Sequence, residues 1–358
     1  MALAFSMQAE ISTTNMKIIK TMMCLVGLAV STNAFCEELE PTTLKDGNLK
    51  GNVLSVMSAT YEYKENFGNP IAGKMRGFPV TTFYDEQGRS VVTRTIADGS
   101  YNVSSYSYLF KYEEGGKKIT KYVLNSLTKE GTGSSLNSAF QTANSSFESL
   151  MGTLPPYSSG MYLYHFGEYE YDGNVLVSYT LKDGKPSNNK ILGKYVAKKQ
   201  DNGSYIWTYY KSDGSSVDNG VITYNKWGIA SRTSASEGSF APKIEFKMPE
   251  PGTYTYDVKG VLTDHVLKAE ARKYTYNDKG DVTKMSKKPF KTWVDGYCYE
   301  NYVYDDHGNW ISRTRGTHPG EPNVIEKRVI VYADSKEDLA QKSAALIQAI
   351  EPIVVKLK

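Results

Sequence analysis

The side chains in this 358-residue chain best suited to chemistry are carboxylates and tyrosines. Glu168 and Glu170 stand two apart in a β-rich run, so both point to one face of a strand. Glycoside hydrolysis requires two convergent carboxylates, one acting as acid and the other as base or nucleophile. Asp85, Asp257, Asp305 and Asp306 lie in Gly-containing turns, where oxygen ligands can gather around Ca²⁺. None approaches the spacing of a D-x-D-x-D-G loop, and each already has a turn to cap. The histidines, His165, His265, His307 and His318, show neither H-E-x-x-H spacing nor a cysteine at zinc spacing. There is no G-x-S-x-G elbow or dinucleotide fingerprint, and Gly131-Thr132-Gly133-Ser134 lacks the lysine of a phosphate loop. The sequence therefore nominates no catalytic residue, no metal ligand and no cofactor. A carbohydrate-active hydrolase whose carboxylates converge only in the fold stays open as the alternative reading.

The tyrosines are more informative. The chain has 28 of them against 12 Phe and 4 Trp, and they recur in a fixed setting. Five stretches place aromatic or β-branched residues before Asp or Asn, two variable residues and Gly. Their turns are Asp85–Gly88, Asn225–Gly228, Asp257–Gly260, Asn277–Gly280 and Asp305–Gly308. An Asp or Asn at the first turn position bonds its own backbone two residues on, and the Gly accepts positive φ. The spacing predicts a β-hairpin with a type I turn and a Gly bulge. In the last copy this register sets Tyr304 opposite Trp310 and Tyr302 opposite Ser312. It likewise sets Tyr276 against Val282 and Tyr256 against Leu262. Tyr254, Tyr256, Tyr274, Tyr276, Tyr302, Tyr304 and Trp310 then form a ladder on one sheet face. That ladder is either packing material or a binding surface for a protein or glycan.

The last copy, Tyr302-Val303-Tyr304-Asp305-Asp306-His307-Gly308-Asn309-Trp310, resembles the YD repeat of Rhs-type proteins. It is similar above all to short exported YD-repeat-like proteins of Bacteroidetes-type bacteria. The resemblance implies consecutive hairpins and an exported chain. This sequence differs from the large family members in its few copies, irregular spacing and lack of a recognisable terminal toxin module.

Targeting and charge narrow the setting. Lys17 and Lys20 precede the apolar run Met22–Val30, and Thr32-Asn33-Ala34 offers a small-x-small cleavage site. Residues 1–34 thus read as an upstream extension and signal peptide, with Met16 opening a signal peptide of ordinary form. Cys36 has two readings, a lipid anchor just after the apolar run or a partner for Cys298. The expected location is the periplasm or cell surface, as an outer-membrane lipoprotein if Cys36 is lipidated, which is also the one route to membrane contact. A net charge of +3 without a basic run argues against nucleic acid.

The chain divides into a polar segment (35–50), a first β-repeat block (51–127), a loop and inserted helix (128–160), a second YD-like block (161–334) and a C-terminal helix and tail (335–358). The inserted helix is read from Leu136, Phe140, Ala143, Phe147, Leu150 and Met151 after the cap Ser135. Ser335 and Asp338 open the last helix, and Pro352 is expected to stop it. The fold class is mostly β: consecutive antiparallel hairpins forming an elongated curved sheet or open barrel. The function expected of it is that of an exported, non-catalytic scaffold or binding protein of the cell envelope.

Overall fold

A computed structural model describes residues 41–98, 103–128, 161–184, 190–235, 250–267, 270–289 and 292–356. The signal peptide, Cys36, the inserted helix after Ser135 and most of the stretch from Ser234 to Pro251 lie outside the described residues. The strands are β1 (Val53–Asn66), β2 (Asn69–Tyr84), β3 (Ser90–Asp98), β4 (Val103–Glu113), β5 (Lys118–Thr128) and β6 (Met161–Asp172). They continue with β7 (Val175–Asp183), β8 (Ile191–Lys199), β9 (Tyr205–Lys211), β10 (Ser216–Asn225), β11 (Gly228–Arg232) and β12 (Gly252–Tyr256). The rest are β13 (Leu262–Val266), β14 (Glu270–Tyr276), β15 (Val282–Pro289), β16 (Val294–Tyr304), β17 (Trp310–His318) and β18 (Glu321–Tyr332). One helix, α1 (Lys336–Lys356), follows.

Every strand pairs antiparallel with its neighbours in sequence, and β1 pairs with both β2 and β18. The expected hairpin sheet therefore closes, among the described residues, into an 18-stranded barrel in which every strand has a partner on both sides. Its thinnest seam is β11–β12, held by the pairs Ser231–Thr253 and Arg232–Gly252.

The turns show why the motif folds as it does. Asp257 Oδ1 accepts from the backbone N–H of Lys259 at 2.8 Å and of Val261 at 2.9 Å. Asp85, Asn277 and Asp305 bind the same two positions in their own turns. Gly88, Gly260, Gly280 and Gly308 sit at φ of +74° to +86°, where a side chain would clash with the backbone. Gly228 is different, at φ +147°, and its turn closes directly as an Asn225–Gly228 pair.

A second irregularity follows each bulged turn. Tyr304 opposes Trp310, but Val303 opposes Ser312, leaving Ile311 as an extra residue. Tyr302 is thus not opposite Ser312, correcting the register expected from the turn alone. Val91, Thr263 and Thr283 are extra residues in the same way. Tyr276 does meet Val282 and Tyr256 does meet Leu262.

Alternation sorts the two faces. In β8 and β9, Tyr195, Ala197, Tyr205, Trp207 and Tyr209 are buried, whereas Lys194, Lys198 and Ile206 point to solvent. Large rings reach over glycines of adjacent strands here. A Cβ on Gly193 would stand 2.1 Å from the Tyr209 hydroxyl, so only glycine admits that ring. On the opposite face of β1–β5, Leu54, Met57, Phe83, Val92, Leu109 and Leu124 form a core with Leu346, Ile350 and Ile353 of α1. Ser335 caps that helix through a 3.1 Å bond from Asp338 N–H. Contrary to expectation, α1 runs past Pro352 to Lys356. The proline forfeits a backbone hydrogen bond, yet Ile353 one residue on is buried in the core, so packing outweighs the break.

The described part of the polar segment, from Pro41 on, is ordered by hydrogen bonds to distant turns. From Pro41 to Asn52 the chain straps three turns together. Leu44 N–H donates to Gly88 O at 2.8 Å, and Asn48 Nδ2 donates to Asp281 Oδ1 at 2.9 Å. Lys50 and Asn309 bond reciprocally, each contact at 2.8 Å.

Candidate functional site, the tyrosine-bearing face

The expected ladder residues share one face of β12–β18, and their hydroxyls have a specific task. Tyr256 Oη donates to Ile229 O at 3.0 Å, Tyr276 Oη to Leu262 O at 2.6 Å and Tyr302 Oη to Val282 O at 2.5 Å. In each case the acceptor lies just after the turn of the preceding hairpin. Tyr304 Oη donates to Asp281 Oδ2 at 3.0 Å and accepts from Asn277 Nδ2 at 2.7 Å. Tyr332 Oη donates to Asp305, and Asn309 Nδ2 donates to Tyr332 Oη at 2.7 Å. One hairpin is thereby tied to the next through phenol groups. Tyr254 bonds Glu250 O at 2.5 Å and stacks on buried His265 at 4.1 Å between ring centres.

Each of the six tyrosines is half-buried, and Trp310 is buried. The opposite face of β12 and β14 carries Thr253, Thr255, Lys273 and Thr275, all exposed. The ladder face is thus the drier of the two, but its rings keep part of their surface open. Burial raises the hydroxyl pKa throughout the row; for Tyr254, Tyr276 and Tyr304 it reaches about 12.

Arginines interleave with the rings. The Arg313 guanidinium lies 4.1 Å from the ring centre of Tyr299 and 4.2 Å from that of Trp310, while Arg328 covers Trp310 at 3.6 Å. The sequence Tyr299–Arg313–Trp310–Arg328 is a stack of alternating ring and cation. Glu326 takes both Arg313, at 2.6 Å, and Arg315, at 2.8 Å. Next along the face, Tyr297 has Arg315 at 5.2 Å and Lys287 at 5.9 Å.

Sequence reasoning missed Tyr297, Tyr299 and these cations for an identifiable reason. Simple alternation puts Tyr299 on the face opposite Tyr302. An extra residue between Glu300 and Val303 breaks that alternation, and Asn301 takes it up at φ +52°. A single Arg313 guanidinium consequently reaches both Tyr299 and Tyr302. The one available signal was Asn301 itself, since Asn tolerates positive φ better than most residues.

The carboxylate pair weighed for hydrolysis lies apart from this face's cations. Glu168 is bound by Lys182 at 2.7 Å, and Glu170 is exposed. His307 stacks on Tyr332 at 3.9 Å. Cys298 is a buried free thiol whose pKa burial pushes up. Among the described residues no helix is long and apolar enough to cross a membrane.

No family model matches the chain, and no curated protein sequence matches it. Among solved structures, a porin-like protein from Bacteroides uniformis overlaps 78% of this chain and 97% of its own, at 9% identity and a TM-score of 0.33. The Tc holotoxin pore of Photorhabdus luminescens overlaps 73% of this chain, at 11% identity and a TM-score of 0.23. A TcdB2–TccC3–Cdc42 structure overlaps 74%, at 12% identity and a TM-score of 0.24. This chain spans only 19% and 17% of those two toxin chains. Overlaps this loose assign neither a family nor an activity.

Proposed function

We propose that this protein is an exported, non-catalytic β-scaffold of the cell envelope that holds a protein or glycan partner on its tyrosine-bearing face. The observation that carries the reading is the set of phenol bonds between hairpins. Tyr256, Tyr276 and Tyr302 are fixed at the hydroxyl end by backbone carbonyls of the neighbouring hairpin. A ring so fixed has little rotamer freedom left to lose when a partner stacks on it, which favours binding. Half-exposed rings interleaved with arginines suit a wet interface better than a sealed core.

The opposite face supports a scaffold in water rather than a lipid-facing wall. A membrane-spanning barrel needs an apolar outer band with aromatic girdles. Here the exposed face of β12 and β14 offers Thr253, Thr255, Lys273 and Thr275. The aromatic rings line the other side.

Calorimetric titration of the purified chain against envelope glycans and envelope proteins tests this reading, run in parallel with a panel of glycoside substrates. Saturable binding without turnover is expected. Turnover of any substrate, abolished by replacing Glu168 and Glu170 together, would establish the hydrolase instead.

A further inference from the structure

The open end of the cation-rich row has a chemistry of its own. Tyr297 is 37% exposed, and Val294 beside it on the same face is 48% exposed. The Lys287 ammonium and the Arg315 guanidinium lie over the Tyr297 ring, 5.9 and 5.2 Å from its centre. Lys287 has no carboxylate partner among the described residues; the one ion pair made by β15 is that of Lys284 with Asp295. Behind this ring, Glu326 is shared between Arg313 and Arg315. Arg328 leans on Trp310 with its Nε buried and unbonded, and Asp281 is the other carboxylate acting on it. With Arg272, which stands opposite Lys287 and binds Glu250 and Glu270, five cations of this face meet four carboxylates, Glu250, Glu270, Asp281 and Glu326, and Lys287 carries no ion pair among the described residues. The excess positive charge lies beside an accessible aromatic plate.

We propose that Lys287, Tyr297 and Arg315 form a binding site for an acidic saccharide, with a sugar ring on Tyr297 and its anionic group between the two cations. The site rests on the reading that the tyrosine-bearing face is the binding face. The open part of the ring suits the C–H face of a pyranose, and the two cations over it are placed to accept an oxyanion on that sugar. Arg315 is held in place by Glu326, whereas Lys287 can swing to meet the ligand. An acidic polypeptide would satisfy the cations equally well but would leave the exposed plate without a matching flat partner. The carboxylated and sulfated forms of a sugar share the required chemistry.

Titration of the full chain with oligogalacturonate, a heparin-derived oligosaccharide and neutral cello-oligosaccharides tests the site. The acidic sugars are expected to bind, more weakly as salt rises, and the neutral ones to bind at least about tenfold less tightly. A preference between the first two ligands identifies the anionic group as carboxylate or sulfate. Lys287→Ala, Arg315→Ala and Tyr297→Ala should each weaken binding about tenfold, and Lys287→Arg should restore most of it. Arg315→Ala also takes from Glu326 one of its two guanidinium partners, so Lys287→Ala, which breaks no ion pair among the described residues, is the deciding variant. Equal binding of neutral and acidic sugars, or none of either, overturns the proposal. If neutral sugars bind and Tyr297→Ala abolishes that binding, the face is right and the acidic ligand wrong. If Tyr297→Ala changes no binding that the chain shows, the face itself is wrong.

Discussion

Arg94 lies 1% exposed on the α1-covered face of β3, with Thr81 and Ser107 directly opposite it on β2 and β4. Its Nε and Nη1, and both hydroxyls, have no hydrogen-bond partner. Burial pushes the guanidinium pKa down to about 10. A buried charge without a partner is a liability, and an apolar side chain of similar length removes it. Arg94→Met is expected to raise stability by about 1–4 kcal/mol in urea unfolding. A fall in the midpoint would mean that Arg94 has a counter-charge in solution. Tyr302 presents the opposite case, since its hydroxyl satisfies Val282 O. Tyr302→Phe should cost roughly 0.5–1.5 kcal/mol, and Tyr302→Ala about 3–5 kcal/mol once the ring is lost as well.

At the scale of the hairpin, the left-handed turn glycine and the Asx side chain act together. Gly308→Val should cost on the order of 1–3 kcal/mol, because a β-branched residue resists the φ of +78° found there. Lys279→Ala, at an exposed turn position, should cost no more than about 0.5–1 kcal/mol in the same thermal unfolding assay, the worth of its ammonium over the Tyr304 ring at 4.0 Å. Gly260 ought to be the worse site for substitution, since a Cβ there would also meet the Trp227 ring at 2.5 Å. Much of this element was legible in the sequence. Asx-x-x-Gly spacing states the turn chemistry locally, and alternation states which residues share a face. What lay beyond reach were long-range or cryptic choices. The bulge at Asn301 moved Tyr297 and Tyr299 across the sheet without changing composition. The bonds that order Pro41–Asn52 come from distant residues, Gly88 among them, and some, such as Asn309 and Asp281, are more than 200 positions away. The continuation of α1 through Pro352 was decided by a core assembled from β1–β5.

For the whole ring, closure is the feature no local pattern could announce. The pairing of β1 with β18, from Val53–Tyr332 to Glu62–Val324, joins the two ends of the chain into one sheet. Nothing in either strand alone specifies the other as its neighbour. The ring is also rich in phenols held neutral by burial. Tyr112, Tyr224, Tyr254, Tyr276 and Tyr304 have pKa values raised from 10.0 to about 12. Between these values the unfolded chain has lost protons that the folded ring still holds, so stability falls as pH rises. Stability should be undiminished by these groups below pH 10 and lose their contribution as pH passes about 12. Tyrosinate absorbance followed with circular dichroism across an alkaline titration would show both events together. Phenol ionisation complete near pH 10 with the β signal intact would mean that the rings are not buried as described.

The reading of one face as binding surface and the other as solvated wall can be tested with two variants and one ligand series. Tyr297→Ala truncates an exposed ring on the tyrosine-bearing face, and Thr275→Ala removes an exposed hydroxyl from the opposite face. Both variants should fold. Calorimetric titration with whichever envelope glycan or protein the unaltered chain binds should show affinity lost about tenfold in Tyr297→Ala and unchanged in Thr275→Ala. Equal affinities in all three proteins, or a loss confined to Thr275→Ala, would contradict the assignment of the tyrosine-bearing face.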